Sequence, residues 1–126
     1  MANTRPEELA VVIQSMLNEY ADEVAEEIKD EVKAVAKQCV KDIRAKSPVR
    51  TGEYRKGWRQ KVMFENATDI RIVVYNSKKP QIAHLMEYGW AKRGGGRVAG
   101  RAHIYPAQQA AAKALEKQAK VVVKAR

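Results

Sequence analysis

Residues 9–46 read LAVVIQSMLNEYADEVAEEIKDEVKAVAKQCVKDIRAK, and how this stretch folds decides the architecture. Large apolar residues recur at Leu9, Ile13, Met16, Tyr20, Val24, Ile28, Val32, Val35, Cys39 and Ile43, every step being three or four. That spacing sets them on one stripe of an α-helix. Upstream, Thr4 and Glu7 have the spacing of a capping box, and Pro6 suits a first turn whose amide has no helical acceptor. Glu7 and Glu8 lie near the positive end of the helix dipole, and Lys41, Arg44 and Lys46 near the negative end. Pro48 pushes Ser47 out of the helical region and marks the stop. The spacing therefore predicts a long helix over residues 1–46.

Its length raises a difficulty. Forty helical residues would run about 60 Å, whereas a compact chain of this size is roughly 35–40 Å across. Either the helix breaks, around Asn18–Asp22, or its overhang packs on another chain. The mean apolar step of about 3.8 is longer than a heptad repeat allows, which disfavours a left-handed coiled coil.

Working outward, residues 47–57 (SPVRTGEYRKG) are dense in turn formers. Trp58, Gln60, Val62 and Phe64 then alternate with Arg59, Lys61 and Met63, and Ile70, Ile72 and Val74 with Arg71, Val73 and Tyr75. The pair predicts an antiparallel hairpin around Glu65–Asp69. One of its surfaces is rich in Arg and Lys and should stay wet or meet an acidic partner. Residues 82–86 predict one or two helical turns closed by Gly89. Residues 89–101 hold five glycines with Lys92, Arg93, Arg97 and Arg101, which predicts a flexible arm unless a partner orders it. Ala102–Tyr105 is expected to form a short third strand, and residues 106–124 an Ala-rich helix entered through Pro106. The fold class is α+β: a long N-terminal and a C-terminal helix on a small antiparallel sheet, with a short helix and the Gly/Arg loop between strands. Residues 1–126 form a single domain on this reading, with residues 47–105 as the sheet region.

Composition narrows the function. The chain has 126 residues, 45% of them hydrophobic and 31% charged, as in ordinary globular domains. Its net charge of +9 is uneven: residues 1–47 hold ten acids against seven bases, and residues 48–126 hold 17 bases against five acids. The basic part admits nucleic acid as a partner, although charge alone specifies no ligand. No apolar run is long enough to cross a membrane, and no secretory leader is expected. Cys39 is the single cysteine, so an intrachain disulfide and a cysteine-based zinc site are excluded, which fits a reducing interior.

Catalytic and cofactor chemistry finds no foothold. His84 and His103 are the only imidazoles, and the His84–Glu87 spacing is better read as a structural or surface pair than as metal ligands. Ser47, Thr51 and Cys39 have no evident base beside them. Gly94–Gly96 lack the strand, the helix and the Lys-Ser/Thr ending of a phosphate loop. Tyr54, Trp58, Tyr88 and Trp90 offer stacking surfaces for bases, but read better as core or interface anchors. No enzyme activity, metal or cofactor is expected.

Three motifs carry a resemblance. Pro48-Val49-Arg50-Thr51-Gly52-Glu53-Tyr54-Arg55 resembles the Pro-Val-x-Thr-Gly-x-Leu-Arg turn of siphophage neck or tail-completion proteins, the HK-ninety-seven gp-ten-like group of minor tail components. Residues Ile82 to Gly89 are similar to that family's Tyr-Ala-x-x-x-Glu-Phe-Gly segment, with Ile82 in place of the aromatic. Residues Ala102 to Ala107 resemble its Pro-Phe-Leu-x-Pro-Ala helix entry, with His103-Ile104 in place of Phe-Leu. The likeness runs in order over residues 20–124. It implies a structural virion protein at the head–tail junction, made in the host bacterial cytoplasm. The implied partners are copies of itself in a ring (a hexamer or dodecamer), the connector or head-closure proteins, the tail proteins and, in the channel, DNA contacted non-specifically.

Within that frame Pro48, Thr51 and Gly52 form a structural turn that delivers Trp58 to the interior, Gly52 taking a backbone angle costly for other residues. Arg93, Arg97, Arg101, Trp90 and Glu87 are the candidate contact residues for a neighbouring subunit or partner. Glu87 is expected to satisfy backbone amides or an arginine of a neighbour.

Overall fold

The computed structural model describes residues 9–17, 21–47, 52–116 and 120–125. Its elements are β1 (Leu9–Met16), α1 (Asp22–Lys46), α2 (Glu53–Lys56), β2 (Trp58–Glu65), β3 (Asp69–Asn76), a single 3-10 turn (Pro80–Ile82), α3 (Ala83–Tyr88), β4 (Gly89–Ala91), β5 (Arg97–Ala99), α4 (Ile104–Ala114) and β6 (Lys120–Ala125). Four strands form an antiparallel sheet in the order β2-β3-β1-β6, and β4 and β5 form a separate hairpin. The α+β class and the β2–β3 hairpin are as the sequence predicts.

Three expectations need correction. Residues 9–16 are a strand, so the single helix over residues 1–46 is replaced by β1 followed by a 25-residue α1. The segment Leu9-Ala10-Val11-Val12-Ile13 is apolar without interruption, and such a run satisfies both helical and strand periodicities. Its β-branched residues suit a strand paired on both sides, with Val11 opposite Val74 on β3 and Val123 on β6. The change falls between Met16 and Asp22, where length required a break, and α1 at about 37 Å no longer overhangs the domain.

At the other end, the helix predicted over residues 106–124 stops at Ala114, and Lys120–Ala125 pairs with β1 as an edge strand. Three consecutive valines disfavour helix, and β1 has a free edge to satisfy. Finally, Ala102 and His103 form no strand and Ile104 opens α4. The additional short strands are β4 and β5, inside the stretch predicted to be a flexible loop.

One face of the sheet carries Val11, Ile13, Ile70, Ile72 and Val74, which pack with Ile28, Val32, Ala36, Cys39 and Ile43 of α1 and with Ile104, Ala107 and Ala111 of α4. Ala107 and Ala111 let the two helices approach closely, and Leu115 plugs the end of α4. Register places Ala10, Val12, Gln14, Met16, Arg59, Lys61, Phe64, Arg71, Val73, Tyr75, Lys120 and Val122 on the opposite face. The sequence's Arg/Lys-rich surface is this one. A bulge at Met63 sets Phe64 opposite Arg71 and Glu65 on the helix side, where it meets Lys29 at 3.5 Å and Lys33 at 3.6 Å.

Candidate functional site

The turn after α1 is built first. Arg55 Nη2 donates to Ala45 O at 3.1 Å and Ser47 O at 3.4 Å, and Arg44 Nη2 to Trp58 O at 2.7 Å. The exposed carbonyls at the end of α1 thus gain cationic donors, the favourable sign for a helix C-terminus. Gly52 leads into α2 at φ 87°, the left-handed conformation expected of it. Pro48 and Thr51 lie outside the described residues. Trp58 reaches the interior and is fully buried. Asn76 ties the end of β3 to the same corner: its Nδ2 donates to Tyr54 O at 2.7 Å, and its Oδ1 accepts from the amides of Lys78 and Lys79.

Tyr54, Trp58 and His103 form a buried edge-to-face cluster with ring centroids 5.5–6.1 Å apart. His103 is its polar hub. Its Nδ1 lies 2.7 Å from Arg101 O and 3.1 Å from Glu87 Oε1, two acceptors that assign the proton to Nδ1. Nε2 is then free to accept from the Tyr54 hydroxyl at 2.6 Å. Burial, helped by the Glu87 charge, pushes the Tyr54 hydroxyl well above its ordinary pKa and keeps it a donor.

Glu87 completes the chain of contacts and is 5% exposed. Its Oε1 accepts from the amides of His103 at 2.9 Å and Ile104 at 2.8 Å, and Oε2 from Tyr105 N at 3.1 Å. These are donors that open α4, and no side chain at its own N-cap satisfies them. A carboxylate from α3 therefore caps α4, with its charge at the positive end of the helix dipole. Burial alone would raise the Glu87 pKa, but the His103 ring and these three amides reverse that and bring it down to about 2. Of the two expectations for Glu87 the structure realises the backbone amides, so this residue faces inward rather than toward a partner.

The other contact candidates lie on the β4–β5 arm. Trp90 is half-buried, and Arg93, Arg97 and Arg101 are exposed. The arm is a hairpin pairing Gly89 with Ala99, Trp90 with Val98 and Ala91 with Arg97, and Arg97 Nη2 donates to Tyr88 O at 3.0 Å. Its base is unusually tight: a Cβ on Gly100 would sit 2.5 Å from both Glu87 O and Gly89 N. That approach sets Arg101 N 2.8 Å from Met86 O and carries His103 onto Glu87.

The His84 ring lies 4.9 Å from that of Tyr88, tilted by 55°, while Glu87 turns to His103, so the two do not converge. Cys39 is buried, and burial pushes its thiol up to about 12. Among the described residues there is no grouping of three or more His, Cys, Asp or Glu side chains able to hold a metal ion, and no helix long and apolar enough to cross a membrane.

Tyr54 is a core anchor, as its aromatic character suggests, whereas the polar hub at His103 is the part that sequence reasoning missed. The signal was there: an imidazole at the position where the resembled motif carries Phe must find polar partners if buried. The three motif segments meet in this one cluster, through Tyr54, Glu87 and His103.

Comparison with curated proteins and with solved structures gave no significant match. A family model does match, over residues 12–89, which run from β1 through α1, the turn and the β2–β3 hairpin to the Glu87 segment. Its description is "Bacteriophage HK97-gp10, putative tail-component", and this chain belongs to that family.

Proposed function

We propose that this chain is a structural subunit of the head–tail junction of a tailed phage or prophage, joining connector to tail as the virion assembles. It acts there as one member of a homo-oligomeric ring, hexameric or dodecameric, between head-closure and tail proteins. It needs no catalysis and no cofactor for this. The observation that carries the reading is the family match across residues 12–89, joined to a frame that spends its buried polar groups on itself. Glu87, His103 and Tyr54 hold elements together and leave the arm and the second sheet face outward, which is how an assembly part differs from a reaction vessel.

Electron microscopy of particles made without this protein tests the role. Full heads lying apart from finished tails are expected; normally joined virions would refute it.

A second reading is a non-specific nucleic-acid binder, favoured by Arg59, Lys61, Arg71 and Lys120 on one sheet face and by the arginines of the arm. Titration with duplex DNA at two salt concentrations separates the two. Micromolar or tighter binding at physiological salt, weakening steeply as salt rises, supports the binder. Weak binding is compatible with a junction subunit, because DNA passes through the channel of a ring at that position.

A further inference from the structure

The two sides of this molecule carry opposite charge, and each exposes apolar surface: Val24 on one, Met16, Phe64 and Val122 on the other. On α1, the exposed residues between Asp22 and Glu31 are Asp22, Glu23, Val24, Glu26, Glu27, Asp30 and Glu31, and the next base, Lys33, reaches Glu65 at 3.6 Å. The one base within this run, Lys29, is buried and held by Glu26 at 3.2 Å and Glu65 at 3.5 Å. Among the described residues, Asp22, Glu23, Glu27, Asp30 and Glu31 meet no cation within ion-pair distance. Val24 is exposed at 41%, an apolar side chain set among these acids.

The sheet face turned away from both helices has the opposite character. Arg59, Lys61 and Lys120 are exposed on it, and Arg71 is half-buried, 6.0 Å over the Phe64 ring. Lys61 lies over Tyr75 at 5.6 Å. Asp69 is the face's described acid and is already engaged, by Arg71 at 3.5 Å and Gln14 at 3.4 Å. Between the bases lie exposed Met16, Phe64 and Val122 with half-buried Val73 and Tyr75. A partner for this face must bring carboxylates together with apolar side chains. Phosphates satisfy the bases but leave Met16, Phe64 and Val122 wet, whereas the outer face of α1 satisfies both.

We infer that the basic sheet face is the docking surface for the acidic outer face of α1 from a second copy of this chain. The two surfaces lie on opposite sides of one sheet, so each copy offers one and receives on the other. Such a contact is heterologous, and repeated it generates a ring if the rotation closes and a filament if it does not. The inference rests on the proposed role as a ring subunit and names the surfaces that would join the ring.

Sedimentation equilibrium of the full chain tests it. At about 50 mM salt the mass rises above the monomer as concentration increases, and at about 500 mM it falls back, as screening requires. Two double variants, Glu27→Lys with Glu31→Lys and Arg59→Glu with Lys61→Glu, each weaken self-association by about tenfold or more. Mixed in equal amounts they associate again, because the reversed helix of one meets the reversed sheet face of the other. These are exposed positions, and the corresponding Gln variants with unchanged circular dichroism guard against misfolding.

Monomeric wild-type protein at every salt and concentration overturns the inference, as does a mixture that fails to restore association. DNA binding that is lost with Arg59 and Lys61, without any change in mass, overturns it in favour of nucleic acid. If each variant alone still joins heads to tails, the inference fails and the junction role survives. If particles lacking the chain join normally, the role fails, and the mass measurements still decide the contact.

Discussion

Replacing Glu87 with Gln removes the charge and turns one of its two acceptor oxygens into a donor, as protonation would, so it measures what the buried carboxylate does for α4. In the folded chain its pKa is lowered from 4.5 to about 2 by the His103 ring and the amides of residues 103–105. A difference of that size corresponds to about 3 kcal/mol of stability from this one group. The folded pKa is the lower one, so the contribution is complete above about pH 5, where the group is ionised folded or unfolded. It declines as pH falls through 4.5 and is gone below about 2. Urea unfolding of wild type and Glu87→Gln across this range is the assay. At pH 7 the variant should be about 3 kcal/mol less stable, and the gap should close as the wild-type carboxylate is protonated. Every other carboxylate is common to both proteins and cancels in the comparison. A gap that stays constant from pH 6 to pH 2.5, or one below about 0.5 kcal/mol at pH 7, would refute the capping argument.

Other consequences can be checked alongside. Tyr54→Phe leaves His103 Nε2 buried without its donor and should cost about 1–3 kcal/mol in the same denaturation assay. Gly52→Val places a β-branched residue at φ 87° and should lower stability by more than about 1 kcal/mol, so an unchanged midpoint would dispose of the turn's role. Gly100→Ala forces its new methyl against the backbone of residues 87–89; hydrogen exchange should speed up across β4, β5 and the start of α4 before the sheet is affected. Changing Arg93, Arg97 and Arg101 together to Ser should leave the unfolding free energy within about 0.5 kcal/mol of wild type while abolishing infectious particles. Normal titre would remove the arm from assembly.

The fold was legible in the sequence where one pattern dominated. Asp22–Lys46 keeps strict helical spacing with acids first and bases last, and Trp58–Asn76 alternates around a polar turn; both formed as predicted. It was illegible where the residues are apolar without a period. Leu9–Ile13 and Val121–Val123 became strands because each supplies an edge the other needs, a pairing between the two ends of the chain that neither local window contains. The arm is illegible for a related reason. In the sequence Gly89 and Gly100 read as sources of chain entropy; in the fold they are small so that two backbones can touch.

The same distinction governs the candidate sites. A short motif can mark a residue whose backbone angle or buried partner is demanding, and the three motifs here mark the frame: Gly52, Glu87 and the segment around His103. Sequence leaves Glu87 two destinations, backbone amides or an arginine of a neighbour; three amides and an imidazole make it a cap. Surfaces that meet partners need no such local signature. Arg59, Lys61, Arg71 and Lys120 come from three strands separated by up to about sixty residues, and they share a face only once β6 is known to be a strand. Treated as helix, Lys120 joins α4 and the basic patch loses a member. Assigning residues 120–125 to the sheet therefore changed more than topology: it turned scattered positive charge into one continuous face, opposite an acidic helix of the same chain.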